Sequence, residues 1–599
     1  MCSDPVRRFV VRSLAATLLL AGPVTAQEAV PQEREVPQAH GDHAGEHAAG
    51  SGEHAAAAAT ETAPGAAAER DRVPLYDTLG DHHYAISTAV PAAQAYFDQG
   101  LRLYYAFNHA EAVRAFREAQ RLDPECAMCW WGEALAWGPN INLPMDEPSA
   151  IAAHAALRGA QARLEHASAV ERAFIEALAK RYEVPPSADR KHLDQAYADA
   201  MAAVAARFAD DAEAAVLYAE SLMDLRPWDY WAADGSPNPG IAEALARLEG
   251  VIAKNEKHPG ACHFFIHAVE KLYPERAVAC AERLASLMPG AGHLVHMPGH
   301  IYIRVGRYAD AVEANNHAIH ADESYIRDQN PAMGMYTAGY YPHNYDFRAF
   351  AAMMMGRSEM AVSSAEKVAQ LLPAELFDAP GMDFLQHWSI RPLLVRIRFA
   401  RWPEILAAPP PGESQLHARA IWHYARGRAL VATGAADEAA QELDKLRELT
   451  AAERLSGVKM EFNQSRDLLG VASSVLAGWV DAARGRMDPA VEHLREAVRR
   501  EDALLYGEPP EWTVPTRQDL GEVLLLAGRY AEAEQAFRDD LRRFPKNGWS
   551  LYGLAAALEG QGKDGEVPAV KAELAEAWAA ADATIVMARP GSAAGTTPP

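Results

Sequence analysis

The chain repeats itself at short range, and this limits its fold more than any other property. Gly306, Gly356, Gly434, Gly485 and Gly528 are each followed five residues later by an alanine: Ala311, Ala361, Ala439, Ala490 and Ala533. Phe107 and Ala112 keep the same spacing with phenylalanine in the glycine place. Several units close on proline, at Pro124, Pro289, Pro373 and Pro545. From Ala92 on, apolar residues recur at intervals of three and four, the pattern of amphipathic helices. Small Ala and Gly side chains let paired helices approach closely, and Pro ends the second helix of a pair. Each pair exposes an apolar face that only the next pair can cover. The 599 residues therefore predict one continuous array rather than several separate domains.

The segment Gly100 to Pro124 carries Gly100, Ala112, Phe116, Ala119 and Pro124, and Gly521 to Phe537 repeats the pattern. Both resemble the tetratricopeptide repeat (TPR), a helix–turn–helix unit of about 34 residues. The resemblance implies an all-α fold: a right-handed solenoid of about seven to nine units across residues 71–583. It also implies a concave inner groove that binds a peptide, protein or small-molecule ligand. The stretch from His293 to Tyr308 is similar to that of His-rich exported bacterial repeat proteins, a likeness that transfers no established activity. Two insertions rich in Pro, Asn and Trp, Gly138 to Pro148 and Arg226 to Gly240, are predicted to be loops lining one face. Asn140, Asn142 and Glu508 to Trp512 are further candidates for the rim.

Residues 1–26 read as a secretory signal. Arg7, Arg8 and Arg12 precede an apolar run, and Val24-Thr25-Ala26 ends it with a small-residue cleavage site. No other stretch is long and apolar enough to span a membrane, so the mature protein is expected to be periplasmic or secreted. Residues 27–70 and 584–599 are expected to be disordered tails, poor in large apolar residues. The first of these carries His40, His43, His47 and His54, a weak site for divalent transition metals or a solvated spacer. With 57 Lys plus Arg against 81 Asp plus Glu, the chain has a net charge of -24, which argues against a nucleic-acid partner. Five cysteines are too few for a disulfide scaffold. Cys126 and Cys129 could pair, bind Cu(I) or simply pack, with packing favoured. Cys262 and Cys280 could form a disulfide.

Histidine is the informative excess, at 23 residues. In the tetratricopeptide family, places two, five and nine of each first helix face the groove. Counting back from Gly306 puts His293, His296 and His300 on all three. Counting back from Gly356 puts His343 at place two and Asp346 at place five. In the next unit Ala400 takes the glycine place, and His387 falls at place two. In the preceding unit His263 and His267 reach places five and nine if one residue is missing near Tyr273-Pro274. His263 should then lie beside His296, and His267 beside His300.

Imidazoles four apart on a helix are about 6 Å apart along its axis, and packed helices are about 8–10 Å apart, so two such pairs can converge on one ion. His293 and His300 are two turns apart, about 10.5 Å along the axis, too far to share an ion at bonds of about 2 Å. His293, with His343, Asp346 and His387, is therefore expected to form a second cluster or a mouth to the first. Pro298 should kink the helix in the middle of the histidines. Glu270 is a candidate ligand or base, and Tyr341 a candidate contact to a bound molecule. Isolated histidines, among them His109, His154, His166, His192, His417, His423 and His493, are expected to be structural. These features point to a solenoid with a poly-His transition-metal site, copper or zinc, in its groove. A metal-dependent hydrolase or oxidoreductase using the same cluster, and periplasmic metal storage or delivery, are the alternatives.

Overall fold

The computed structural model of the protein describes residues 73–583, apart from 188, 374, 375 and 378–381. The expected signal at 1–26, the histidine-bearing tail at 27–70 and the tail at 584–599 lie outside the described residues.

Among the described residues the chain forms twelve successive helical pairs and no strand. They run from Pro91–Tyr105 with His109–Leu122 to Gly548–Gly560 with Val567–Ala577. The array is longer than the seven to nine units expected from landmarks. Three early pairs lack those landmarks, because long connections replace the tight turn after Ala136, Leu178 and Asp224. Elsewhere the turn follows the repeat. Gly306, Gly356, Gly434, Gly485 and Gly528 all have φ between 69° and 87°. Phe107 and Ala400, placed in the same position by spacing alone, also have positive φ, at 54° and 53°. The turn thus imposes a left-handed conformation that costs a residue with a Cβ roughly 1–2 kcal/mol.

The buried apolar residues fall into two main clusters, one mostly between Leu79 and Ala365 and one between Ile390 and Val567. A smaller cluster, including Tyr341, Tyr345 and Trp388, lies beside them. The segment before the first helix is a strap across the first cluster: the Tyr76 hydroxyl donates to Glu111, and the Gly290 N–H donates to the Thr78 carbonyl at 2.8 Å. Both cysteine pairs among the described residues are disulfides, Cys126–Cys129 and Cys262–Cys280, so Cys126 and Cys129 do more than pack. No helix among the described residues is long and apolar enough to cross a membrane.

The array also closes on itself. The last hairpins return to the middle of the chain, where the Trp549 indole N–H donates to the Met353 carbonyl at 2.9 Å. Arg398 lies 3.9 Å over the same indole, and Trp578 meets it edge-on at 5.0 Å. Phe350 packs against Phe544, and the Asp582 N–H donates to the Gly356 carbonyl. This return brings residues after 500 to helices near 300, which pairwise stacking of neighbours would not do. Trp549→Ala removes the centre of the contact. It should lower stability by about 3–5 kcal/mol in chemical denaturation. A loss below about 1 kcal/mol would mean that the closure contributes little.

Candidate metal and ligand site

The histidines gather where the sixth hairpin is broken. Pro298 cannot donate to the preceding turn, and the first helix splits into Gly292–His296 and Pro298–Arg304. Gly299 leaves room beside the break, since a Cβ there would stand 2.9 Å from the Asn315 amide nitrogen. His293, His296 and His300 project from the two short helices, His263 and His267 from Pro259–Val269, and His343 from Tyr341–Met354. Five of the six are buried; His343 is partly exposed.

The grouping differs from the expected one. His263, His267 and His293 bring one ring nitrogen each within 4.8 Å of one another, and so do His296, His300 and His343. His267 does lie beside His300, with ring centroids 5.5 Å apart. His263, however, faces His293 rather than His296, with Nε2 atoms 3.2 Å apart. The division falls within Gly292–His296: His293 turns to the fifth hairpin, whereas His296 groups with His300 and with His343 of the seventh.

Hydrogen bonds decide which nitrogens are free. His263 Nδ1 donates to the Tyr105 carbonyl at 2.7 Å, so its Nε2 carries a lone pair. His296 Nδ1 lies 2.8 Å from Asn315 Oδ1, and the Asn315 amide donates to the Ala311 carbonyl. That second bond fixes the amide orientation, so His296 donates from Nδ1 and leaves its Nε2 bare. His296 Nε2 faces His300 Nε2 at 2.9 Å. Two nitrogens bound to one ion at 2.0–2.1 Å in tetrahedral geometry stand about 3.3 Å apart, close to both observed separations. Burial and neighbouring imidazoles push His263, His267, His293 and His296 well toward the neutral form, the form that ligates.

Two carboxylates stand behind this cluster. Glu270 Oε2 lies 3.0 Å from His300 Nδ1 and 3.6 Å from His267 Nδ1, and Glu508 Oε2 lies 3.2 Å from His300 Nδ1. Burial opposes a charge on His300, but Glu270 and Glu508 outweigh it and hold its pKa at about 9. Such a carboxylate–imidazole pair orients a ligating histidine and raises its basicity. Both nitrogens of His267, Oε1 of Glu270 and Nδ1 of His293 are buried without a hydrogen bond. Buried polar atoms rarely remain unpaired, so this concentration marks a place built to receive something polar.

Three expected site residues lie elsewhere. Asp346 is buried against Arg391 at 3.1 Å and neutralises it. His387 is held by His417 and the Glu511 carbonyl, and the Ser465 hydroxyl bonds His417 in turn, so every ring nitrogen in that relay has a partner. Tyr341 bonds Glu323; its neighbour Tyr340, 4.6 Å from the His293 ring, faces the cluster instead. One residue shifts a helical side chain by about 100°, which is enough for the exchange. Another possible metal triad, His82, Glu213 and His258, is a hydrogen-bonded network. His258 Nδ1 accepts the Ala261 N–H, so Nε2 carries a proton toward Glu213.

Four contributors escaped the repeat pattern or were only loosely placed by it: Phe107, Asn315, Tyr340 and Glu508. Phe107 occupies a position where five other units have glycine. Its ring stacks on His293 at 5.2 Å and meets His263 edge-on at 4.5 Å. A bulky residue kept in a left-handed turn is the signal that could have found it.

Above the histidines lies a cavity of about 650 Å³. His267, His293, His300 and His343 line it, together with Trp228 and the 141–149 loop from the two predicted insertions. Asn142 and Glu508 reach it as expected. Asn140 bonds His109 instead, and Glu511 caps the 461–463 turn. A second hollow, of about 670 Å³, holds Arg447, Arg466 and Arg500. Each of these faces a carboxylate, of Asp444, Glu453 and Glu496 respectively.

With hairpins and cavity in view, the class is a TPR-like helical solenoid, a stack of paired helices. No family model and no curated protein matches the chain. Among solved structures, the human IFIT1 dimer with PPP-AAAA is 13% identical, covering 80% of this chain and 89% of that one, with a TM-score of 0.30. Yeast Tom70 is 12% identical, covering 81% and 91%, with a TM-score of 0.27. The P58(IPK) TPR domain is 12% identical, covering 79% and 99%, with a TM-score of 0.19. The ligand in the IFIT1 structure belongs to that protein.

Removing Asp346 should separate structural from ligating roles. Asp346→Ala leaves the buried Arg391 guanidinium without its carboxylate and should cost about 3–5 kcal/mol in unfolding. Metal content of the folded fraction should match wild type. Loss of bound metal at full stability would return Asp346 to the site.

Proposed function

We propose that the protein is an exported TPR-like solenoid that binds a ligand in an internal cavity, at a poly-His transition-metal centre. The ligands are His296, His300 and His343 for one ion and His263, His267 and His293 for a second. Copper and zinc suit an all-imidazole set; ligand type alone does not choose between them. One observation carries the proposal: His263 and His296 both spend Nδ1–H on fixed acceptors and turn bare Nε2 atoms toward another histidine. This is the arrangement metal-binding imidazoles adopt. Export to the periplasm or beyond is supported by the amino-terminal sequence and by two disulfides, which persist in oxidising compartments.

A metal-dependent hydrolase or oxidoreductase is the second reading. Three imidazoles per ion leave a coordination position, and His300 and His343 both border the cavity. Glu270 would serve there as base or as orienting partner. Storage and delivery would rest on the amino-terminal histidines.

Elemental analysis tests the centre. Chelator-stripped protein reloaded with zinc or copper should retain up to two ions per chain; less than about a tenth of an equivalent would end the proposal. Asn315→Leu removes the acceptor that fixes the His296 ring and should weaken one ion about 10–100-fold. His296→Ala should abolish that ion. A His296→Ala protein with full metal content would refute the assigned ligands. Exchangeable water on the bound ion separates an open centre from a closed one.

A further inference from the structure

Every charged group on the cavity wall is already engaged. Asp146 caps the helix Glu147–Gln161 by accepting the Ser149 N–H at 2.7 Å. Glu508 faces His300 and Arg304. Glu461 accepts the Trp388 indole N–H. Burial, with Glu511 nearby, raises the Glu461 pKa and favours its neutral form. The wall has no Lys or Arg.

Its polar atoms are likewise paired with one another. Asn142 accepts the Trp228 indole N–H and donates to the Tyr340 hydroxyl, both at 3.2 Å. Flat rings from Trp137, Trp228, Trp388 and Phe462 provide rigid apolar surface. Met145, Met333, Met335, Met382 and Met460 add thioethers that adapt to irregular shapes. The lining side-chain atoms without a hydrogen-bond partner or a close ion pair are concentrated at the histidine end, on His267 and His293. About 650 Å³ is the room of a drug-sized molecule, within the usual 300–1,000 Å³ of small-ligand sites.

We infer that the cavity takes an uncharged, mainly apolar small organic molecule whose single polar end meets the histidines. The inference rests on the proposed ligand pocket but not on the metal. An ionic group elsewhere on the ligand would lie against Trp, Phe and Met without a counter-charge, and burying an unpaired charge is costly.

Two fluorescent probes with the same aromatic core test it on the full chain. N-phenyl-1-naphthylamine is neutral, and 8-anilinonaphthalene-1-sulfonate adds one sulfonate. The neutral probe should bind saturably at one site, at least about tenfold more tightly than the sulfonate, because the one cationic group on the wall, His300, is already held by Glu270 and Glu508. Met333→Glu, in an exposed loop residue that lines the cavity, and Trp228→Glu should each weaken the neutral probe by about tenfold or more while helical circular dichroism is unchanged. Neutral-probe binding that both variants leave intact would overturn the inference. So would tighter binding of the sulfonate, or no saturable binding at all. Repeating the titration after chelation separates the two proposals: probe binding that survives while no metal reloads retains the pocket and rejects the centre. The reverse result rejects the pocket alone.

Discussion

The turn between the two helices of a unit requires a left-handed residue, and much else in the protein depends on that requirement. Glycine meets it at little cost, which is why the landmarks recur. Phe107 meets it at a cost, and its ring becomes a wall of the histidine cluster. The same turn sets the register of each first helix relative to its partner. In the sixth unit it places three histidines on the inward face, where His293 joins the pair from the fifth hairpin and His296 and His300 join His343 of the seventh. A single backbone constraint thus determines both the repeat and the direction in which the imidazoles point.

Gathering six imidazoles into the interior is expensive unless their polar atoms are used. A buried donor or acceptor left unsatisfied costs about 1–3 kcal/mol. His263 and His296 are satisfied on one nitrogen by acceptors that lock the tautomer. His300 is held between two carboxylates, and both nitrogens of His267 remain bare. A purely structural cluster would resemble His387, His417 and Ser465, where the donors and acceptors close into a complete relay. The contrast between these two buried groups, in one chain, is what distinguishes a prepared site from a filled core.

The closure of the array completes the site. Glu508 and Phe462 come from hairpins far along the chain, yet one faces His300 and the other meets Trp228 across the cavity. Trp549 and its neighbours hold that return in place through contacts near Met353 and Arg398. An open stack of repeats would present a groove suited to an extended peptide. The closed one encloses a chamber whose walls come from both main clusters and from the two long insertions.

Helical periodicity and the spacing of glycine, alanine and proline were sufficient to determine the fold class, the repeat and the inward face of the histidine helices. Local backbone demands write themselves into local residue choice, and even Ala400 was placed correctly in the turn by spacing alone. The partition of the histidines was not legible, because it follows from which neighbouring hairpin each ring meets in space. Asp346 and His387 occupy groove places by count, but Arg391 and His417 claim them in space. The exchange of Tyr341 for Tyr340 turned on one step of helical rotation. The tertiary structure alone decided the cavity, since its walls converge from segments hundreds of residues apart, and sequence spacing carries no information about contacts made when an array closes on itself.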